Sequence, residues 1–365
     1  MAVDPRRIAD LAGASANERL RDRAIAHAIY LERLKGHETR EIMQFIDDDL
    51  LPDLIAKLEA RLRRIDSRGL DIGPVSTDRL RKMIAAMQEV VQSWTSGLAA
   101  ALVEKIERIA VAEAEWTREA INFASGIAID VVLPGPAMLT AAVLETPIDG
   151  VLLEDIVKRL DAATKNALAQ AIRIGVVEGE TIPQITRRVR TVMKTTRSTA
   201  EGVARTAVGH ISNAARARTY AENTDILKGV QWVATLDTRT CLRCQSLDGK
   251  VYPLDRGARP PRHISCRCTT VPVLKSWREM GLDADDMPAG TRASMNGQVS
   301  GSITYNDWLK RMPAAVQDEA LGKTRAALFR GGSLSISDFV DRQGQTYNLD
   351  TLRAKERAAF EKAGI

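Results

Sequence analysis

Outside one window of 28 positions, from Cys241 to Cys268, the chain contains no cysteine. Cysteine used as a small core filler or as a disulfide half is scattered through a fold, and neither use applies to the rest of this chain. Aromatic residues are scarce, 4% of 365 positions, while Ala, Leu, Ile, Arg and Glu dominate, a balance that leans helical. Histidine occurs four times, as His27, His37, His210 and His263, so few groups are available for proton transfer near neutral pH. No glycine-rich phosphate loop ending in Lys-Ser or Lys-Thr is present, and no dinucleotide fingerprint. Residues 1–10 lack the apolar run of a secretory leader. The longest apolar stretch, about Ile121 to Leu144, is broken by Asp130, Pro134 and Pro136 and is too interrupted to cross a bilayer. These absences lead us to expect synthesis in a reducing cytoplasm, no membrane partner, no small-molecule substrate and no enzymatic activity.

What is present reads as helix first. Ile42, Phe45, Ile46, Leu51, Leu54, Ile55, Leu58, Leu62 and Ile65 recur at three- and four-residue steps. Pro52 is expected to start a new helix, the segment from Ser67 to Pro74 to form a loop, and Ser76 or Thr77 to cap the next helix. That helix repeats Leu80, Ile84, Met87, Val91, Trp94 and Leu98 and continues to about Ser125. Pro134-Gly135-Pro136 and Thr146-Pro147-Ile148-Asp149-Gly150 bracket a short connector. A second helical block is predicted from Leu152 to Asn223, interrupted near Glu178-Gly179-Glu180 and restarted by Thr181 with Pro183 just inside. Val230–Thr235, Lys250–Leu254 and Thr269–Leu274 read as strands, with Asp248-Gly249 a tight turn between the first two. A polar, glycine-punctuated stretch then leads to helical segments at Thr304–Arg330 and Thr351–Ala363. The expected fold is mainly α: a long helical N-terminal half (1–145), a helical middle block with a small zinc-stapled β-unit (146–275), and a short helical tail (276–365).

The window itself reads Cys241-x2-Cys244, eighteen residues, then His263-x2-Cys266-x-Cys268. Two short chelating pairs separated by a loop are the sequence form of a closed structural zinc site. Five donors compete for four places, so a catalytic zinc with an open position is not expected. The expected ligands are Cys241, Cys244 and His263 with Cys266 or Cys268 as the fourth. Two disulfides, formed once the protein leaves the cell, are the alternative reading. A unit with so few apolar residues needs a staple, and structural zinc supplies roughly 10–16 kcal/mol to comparable units.

Net charge is +5 and the isoelectric point is near 9.0. Arg187, Arg188, Arg190, Lys194, Arg197 and Arg205 form a basic run against one acid, Glu201, and the loop adds Arg239, Arg243, Lys250, Arg256, Arg259, Arg262 and Arg267. Such a stripe suits a phosphate backbone or an acidic protein partner equally. His27 and His37 are expected at the surface and His210 as a satisfied helical residue. Glu178-x-Glu180 resembles a paired-glutamate transferase motif, but its place at a helix break predicts a turn and cap.

Several strings carry a family likeness. They are Ala204-Arg205-Thr206 with Ser212-Asn213-Ala214-Ala215-Arg216, then Trp232 through Cys241, then Leu247-Asp248-Gly249-Lys250, and finally Pro260-Pro261-Arg262-His263 with Cys266-Arg267-Cys268. Together they resemble the head-morphogenesis domain of tailed-phage minor head proteins, the family that includes protein F of phage Mu, over about residues 145–275. The resemblance implies a low-copy minor capsid protein needed for head assembly, DNA packaging or DNA delivery. It implies a virion position near the portal vertex, synthesis in a bacterial host, and portal protein, major capsid protein and packaged double-stranded DNA as partners. It also places the five Cys/His donors on the family's metal-like cluster, and Arg205, Thr206 and Asn213 on its polar helix motif. A zinc-containing nucleic-acid-binding protein and an injected effector enzyme are the alternatives.

Overall fold

A computed structural model describes residues 16–45, 48, 51–66, 77–126, 128–276, 279–280, 291–295, 297–300, 303–331 and 334–365. Six helices come first: α1 (Ala16–Phe45), α2 (Leu51–Asp66), α3 (Thr77–Ser125), α4 (Pro136–Glu145), α5 (Leu153–Val177) and α6 (Ile182–Ala221). Along α3, Met83, Met87, Val91, Trp94, Leu98 and Leu102 recur at three- and four-residue steps and none is more than 2% exposed. That stripe meets Leu54 and Leu58 of α2, Ile172 of α5 and Ile185 and Val189 of α6 in one core. Further along, Ile106 and Ile109 meet Leu139 and Val143 of α4 and Val208 and Ile211 of α6. The helix starts follow local chemistry. Pro52 and Pro136 sit in first turns, where a missing N–H costs nothing. Thr181 and Gln184 form a capping box at the head of α6, with the Thr181 N–H donating to Gln184 Oε1 at 2.7 Å. The expected loop at Ser67–Pro74, the Ser76 cap and the Ile46 core position lie outside the described residues.

Polar groups are buried where helices cross. Glu38 of α1, 2% exposed in its side chain, takes Lys105 at 2.5 Å and Arg108 at 2.6 Å from α3. Burial raises its pKa, but the hydrogen bonds and charges of Arg108 and Lys105 outweigh this and hold the carboxyl below its usual value. A depressed carboxylate stabilises the fold above its unfolded pKa, about 4.3, and that contribution vanishes as pH falls through the lower folded value. Thermal unfolding between pH 6 and pH 3 is therefore expected to show a smaller acid-induced fall in Tm for Glu38→Gln than for wild type.

His27 corrects the sequence expectation. It is buried, its Nε2 lies 2.8 Å from Glu113 Oε1, and its ring stacks on Trp116 at 3.8 Å. The charged neighbours of His27 along α1 hide the fact that α3 covers this face and supplies its partner. His37 is exposed as expected. His210 is buried and bonded to the Val143 carbonyl at 2.8 Å, with burial lowering its pKa.

After α6 the chain enters β1 (Leu227–Val233), a short helix α7 (Leu242–Gln245), β2 (Val251–Tyr252) and β3 (Thr269–Leu274). The sheet is antiparallel with order β2-β1-β3, pairing Gln231 with Val251 and Val233 with Thr269. The predicted Thr269–Leu274 strand keeps its bounds. The first strand ends at Val233 instead of Thr235 because the Ala234 N–H is taken by the Asp248 carboxylate at 2.7 Å. The second ends at Tyr252, where Pro253 has no N–H to extend the ladder.

The expected polar connector contains a hairpin, β4 (Thr291–Ser294) with β5 (Gly297–Ser300). The tail is a set of short helices, α8 (Tyr305–Lys310), α9 (Ala314–Leu321), α10 (Lys323–Gly331), α11 (Leu349–Lys355) and α12 (Arg357–Ala363). Pro313 and Gly322 divide the first three. Trp308, Leu328, Phe339, Leu352 and Phe360 share one core with Trp232, Leu236, Cys244, Cys266 and Cys268. Among the described helices, none is long and apolar enough to cross a membrane.

Candidate metal centre

Local folding gathers the five donors. Cys241 caps α7 and Cys244 lies on it, so the Cys-x2-Cys pair turns both thiols to one side. Gly249, at φ 79°, reverses the chain after Asp248, and the Gly249 N–H donates to the Trp232 carbonyl at 2.9 Å. The loop that follows folds back on Tyr252. Arg259 donates to the Pro253 carbonyl at 2.6 Å, and a side chain at Gly257 would sit 2.4 Å from the Tyr252 ring. His263, Cys266 and Cys268 then return to the knuckle immediately before β3.

The cluster has the dimensions of a metal site. Tetrahedral zinc, with bonds of about 2.3 Å to sulfur and about 2.0 Å to nitrogen, sets S···S edges near ~3.8 Å and S···N edges near ~3.5 Å. Here Cys241 Sγ and Cys244 Sγ lie 3.4 Å and 3.3 Å from His263 Nε2, and Cys244 Sγ lies 3.9 Å from Cys266 Sγ. The donors form two triads, Cys241–Cys244–His263 and Cys244–Cys266–Cys268, each with all ligand atoms within 4.8 Å. Cys244 belongs to both. His263 Nδ1 is 2.8 Å from the Ile264 carbonyl. A carbonyl only accepts, so Nδ1 carries a proton; Nε2 faces the sulfurs, donating to them while the ring is protonated and freeing its lone pair for a metal once that proton is displaced. All four cysteines are free thiols, and 3.9 Å between Cys244 and Cys266 is far beyond an S–S bond.

Electrostatics agree with this geometry. The Cys241 thiol is pulled down to about 4, chiefly by its hydrogen bond with Cys244 and then by His263. His263 is raised to about 11 by its hydrogen bonds with Cys241 and Cys266. Hydrogen bonds with Cys244 and Cys268 lower Cys266, while those with Cys241, Cys266 and Cys268 raise Cys244. For Cys268 the bond with Cys244 lowers the pKa, but the bond with Cys266 and burial outweigh it and hold the thiol well above its ordinary value. Thiolates crowded beside a protonated imidazole are what a divalent cation replaces, displacing protons as it binds.

Other predicted residues sit as follows. Arg187, Arg190 and Lys194 are exposed on α6. Arg188 is bound to Glu178 and Glu180, each at 2.6 Å, which is the helix-break role expected of those glutamates. Arg205 lies 3.2 Å from Glu201, and Arg197 lies 3.7 Å from it. In the loop, Arg267 pairs with Asp237 at 2.5 Å, and Arg243 and Arg262 turn inward to Asp149 at 2.8 Å and 3.3 Å. Asn213 is buried, donating to the Gly209 carbonyl at 2.7 Å and accepting from Arg216 at 3.2 Å. Sequence reasoning missed Asp248. Its Oδ1 takes the Ala234 N–H and its Oδ2 the Tyr305 N–H, each at 2.7 Å, joining the end of β1 to the head of α8. The Asp248-Gly249 pair marked the turn, but nothing local pointed to Tyr305.

Residues 166–271, which contain all five donors, match the model of the family described as Phage Mu protein F like protein. Over this segment the chain is similar to the phage Mu F-like proteins. Minor head protein GP7 of Bacillus phage SPP1 is 28% identical over 192 residues, covering 47% of this chain and 59% of that protein. The chain thus spans less than two thirds of that relative's length. No solved structure matches it. The Mu F-like segment takes in the C-terminal part of α5, all of α6, β1, α7 and β2, and the first half of β3.

Proposed function

We propose that the protein is a low-copy structural component of a phage head, seated at the portal vertex, with one structural zinc ion. The observation that carries this reading is the position of the Cys/His cluster. It lies inside the Mu F-like segment and in the same core as Trp308, Phe339 and Phe360 of the C-terminal helices. A metal there would brace the fold. Sharing that core also supports a non-catalytic C-terminal segment over an injected effector.

The ligand set best supported by distance is Cys241, Cys244, His263 and Cys266, with Cys268 the fifth donor. The contacts of 3.3, 3.4 and 3.9 Å all fall within this set, in which Cys244 links Cys266 to the Cys241–His263 pair. Zinc would supply charge neutralisation of the thiolates and a rigid crosslink between α7 and the approach to β3. Cys268→Ser is expected to keep about one zinc per chain by elemental analysis, and metal loss in that variant would shift the assignment to Cys268.

Portal association is tested by co-sedimentation with purified portal rings and procapsids, where absence from both fractions counts against it. A second reading, a DNA-binding module, is favoured by the exposed Arg187, Arg190 and Lys194 on one face of α6. Affinity for duplex DNA that falls steeply with salt would support that reading, since each neutralised phosphate contributes about −0.9 to the log–log slope.

A further inference from the structure

The turn at Ile148–Val151 lies about ninety positions before the metal cluster in the chain, yet it reaches both halves of the site. Ile148 and Val151 close the turn with reciprocal backbone bonds of 2.8 and 3.1 Å, and Asp149 between them sits at φ 51°. This left-handed conformation is uncommon for a residue with a side chain. The Asp149 carboxylate accepts two parallel bonds from the Arg243 guanidinium, both 2.8 Å, the fork-to-fork geometry that fixes position as well as charge. Arg243 lies between Cys241 and Cys244. The same guanidinium donates to the Arg262 carbonyl at 3.1 Å, and Arg262 itself reaches Asp149 at 3.3 Å. Arg262 precedes His263. One carboxylate thus holds the knuckle and the histidine in register.

A second contact comes from α6. The Thr206 hydroxyl accepts from the Ser265 N–H at 2.8 Å while donating to the Gly202 carbonyl at 2.6 Å. Ser265, at φ 61°, is the pivot between His263 and Cys266. Thr206 is buried, so the acceptor is held in place on α6 while Ser265 stays exposed.

We propose that Asp149 and Thr206 are positioning residues of the metal centre, fixing its four ligands to the helical bundle and coupling metal occupancy to the order of that junction. The metal in this statement rests on the zinc reading above; the contacts do not. Outer-shell partners of metal ligands typically change affinity about 10- to 100-fold. Coupling is reciprocal, so if the junction strengthens metal binding, metal must strengthen the junction by the same factor.

The test uses the full chain and three variants. Asp149→Asn keeps size and tolerates the left-handed backbone but loses the charge-assisted fork. Thr206→Val keeps shape and loses the hydroxyl. Asp155→Asn, whose carboxylate faces Lys158 on the surface of α5, is the control. Zinc affinity is read by competition with a chromophoric chelator. Thiol accessibility is read in metal-free protein by the rate of disulfide exchange with an aromatic disulfide reagent. Asp149→Asn is expected to weaken zinc at least tenfold, with Thr206→Val in the same direction and the control within twofold. Zinc affinity within twofold of wild type for both variants overturns the proposal. If wild-type protein takes up no zinc, the zinc reading fails, and the junction is judged on thiol exchange alone. A tenfold acceleration in Asp149→Asn then supports the positioning role and an unchanged rate overturns it.

Discussion

On the zinc reading, Cys244→Ser is expected to abolish metal binding and, with it, the order of the C-terminal core. Cys244 is the donor common to both triads, it is 1% exposed, and its neighbours in the core include Trp232 and Leu236 with Trp308, Phe339 and Phe360. Serine is a poor zinc ligand. The loss therefore removes a contribution on the order of 10–16 kcal/mol in comparable units and leaves the remaining thiols buried without a counter-ion. Short helices of seven to nine residues, such as α9, α10 and α11, do not hold without tertiary packing. Hydrogen exchange should show protection falling across 303–363 and the cluster while the cores of α3 and α6 stay protected. Elemental analysis should show zinc falling from about one per chain to near zero. Full protection of the C-terminal helices in metal-free Cys244→Ser would show that the core stands without the staple.

The second large effect lies in the helical bundle. Arg216 is 1% exposed in its side chain and its Nε lies 3.5 Å from Glu113 Oε2, a carboxylate that also meets His27 at 2.8 Å. Arg216 further donates to the Ser212 carbonyl at 3.3 Å and to Asn213 Oδ1 at 3.2 Å, and its guanidinium lies over Trp116. Removing one member of a buried ion pair strands the other charge, at a typical cost of about 3–5 kcal/mol, whereas replacing both with apolar groups of similar volume is often neutral. Arg216→Ala is expected to lower unfolding stability in urea, followed by helical circular dichroism, by that amount. The double variant Glu113→Leu with Arg216→Met should recover most of it. A loss below about 1 kcal/mol in Arg216→Ala would mean that water reaches Glu113 and the network is not a dry one.

How much of this was legible beforehand follows from the range of each interaction. Helix starts at Pro52 and Thr181, the Asp248-Gly249 turn and the strand Thr269–Leu274 were readable because caps, turns and ladders are decided within a few residues; the helix Pro136–Glu145 was read only as a connector. The end of β1 was misplaced because Asp248, fourteen positions from Ala234, takes the N–H that would have extended it. His27 was misjudged because its partner Glu113 is 86 positions away on another helix. The hydrophobic cores also run across positions 145 and 275: α2 and α3 pack with α5 and α6, and the C-terminal helices pack with the sheet.

The sequence by itself determined that five soft donors, and all of the chain's cysteines, fall within one loop-bearing unit. Chelating pairs are a matter of local spacing, and local spacing survives in one dimension. Only the tertiary structure decided that Cys244 lies 3.3 Å from His263 and 3.9 Å from Cys266, that Arg243 and Arg262 turn inward to Asp149, and that the C-terminal helices share a core with the thiols. Those outcomes depend on side chains meeting across tens to hundreds of positions, through packing that no periodicity or motif encodes.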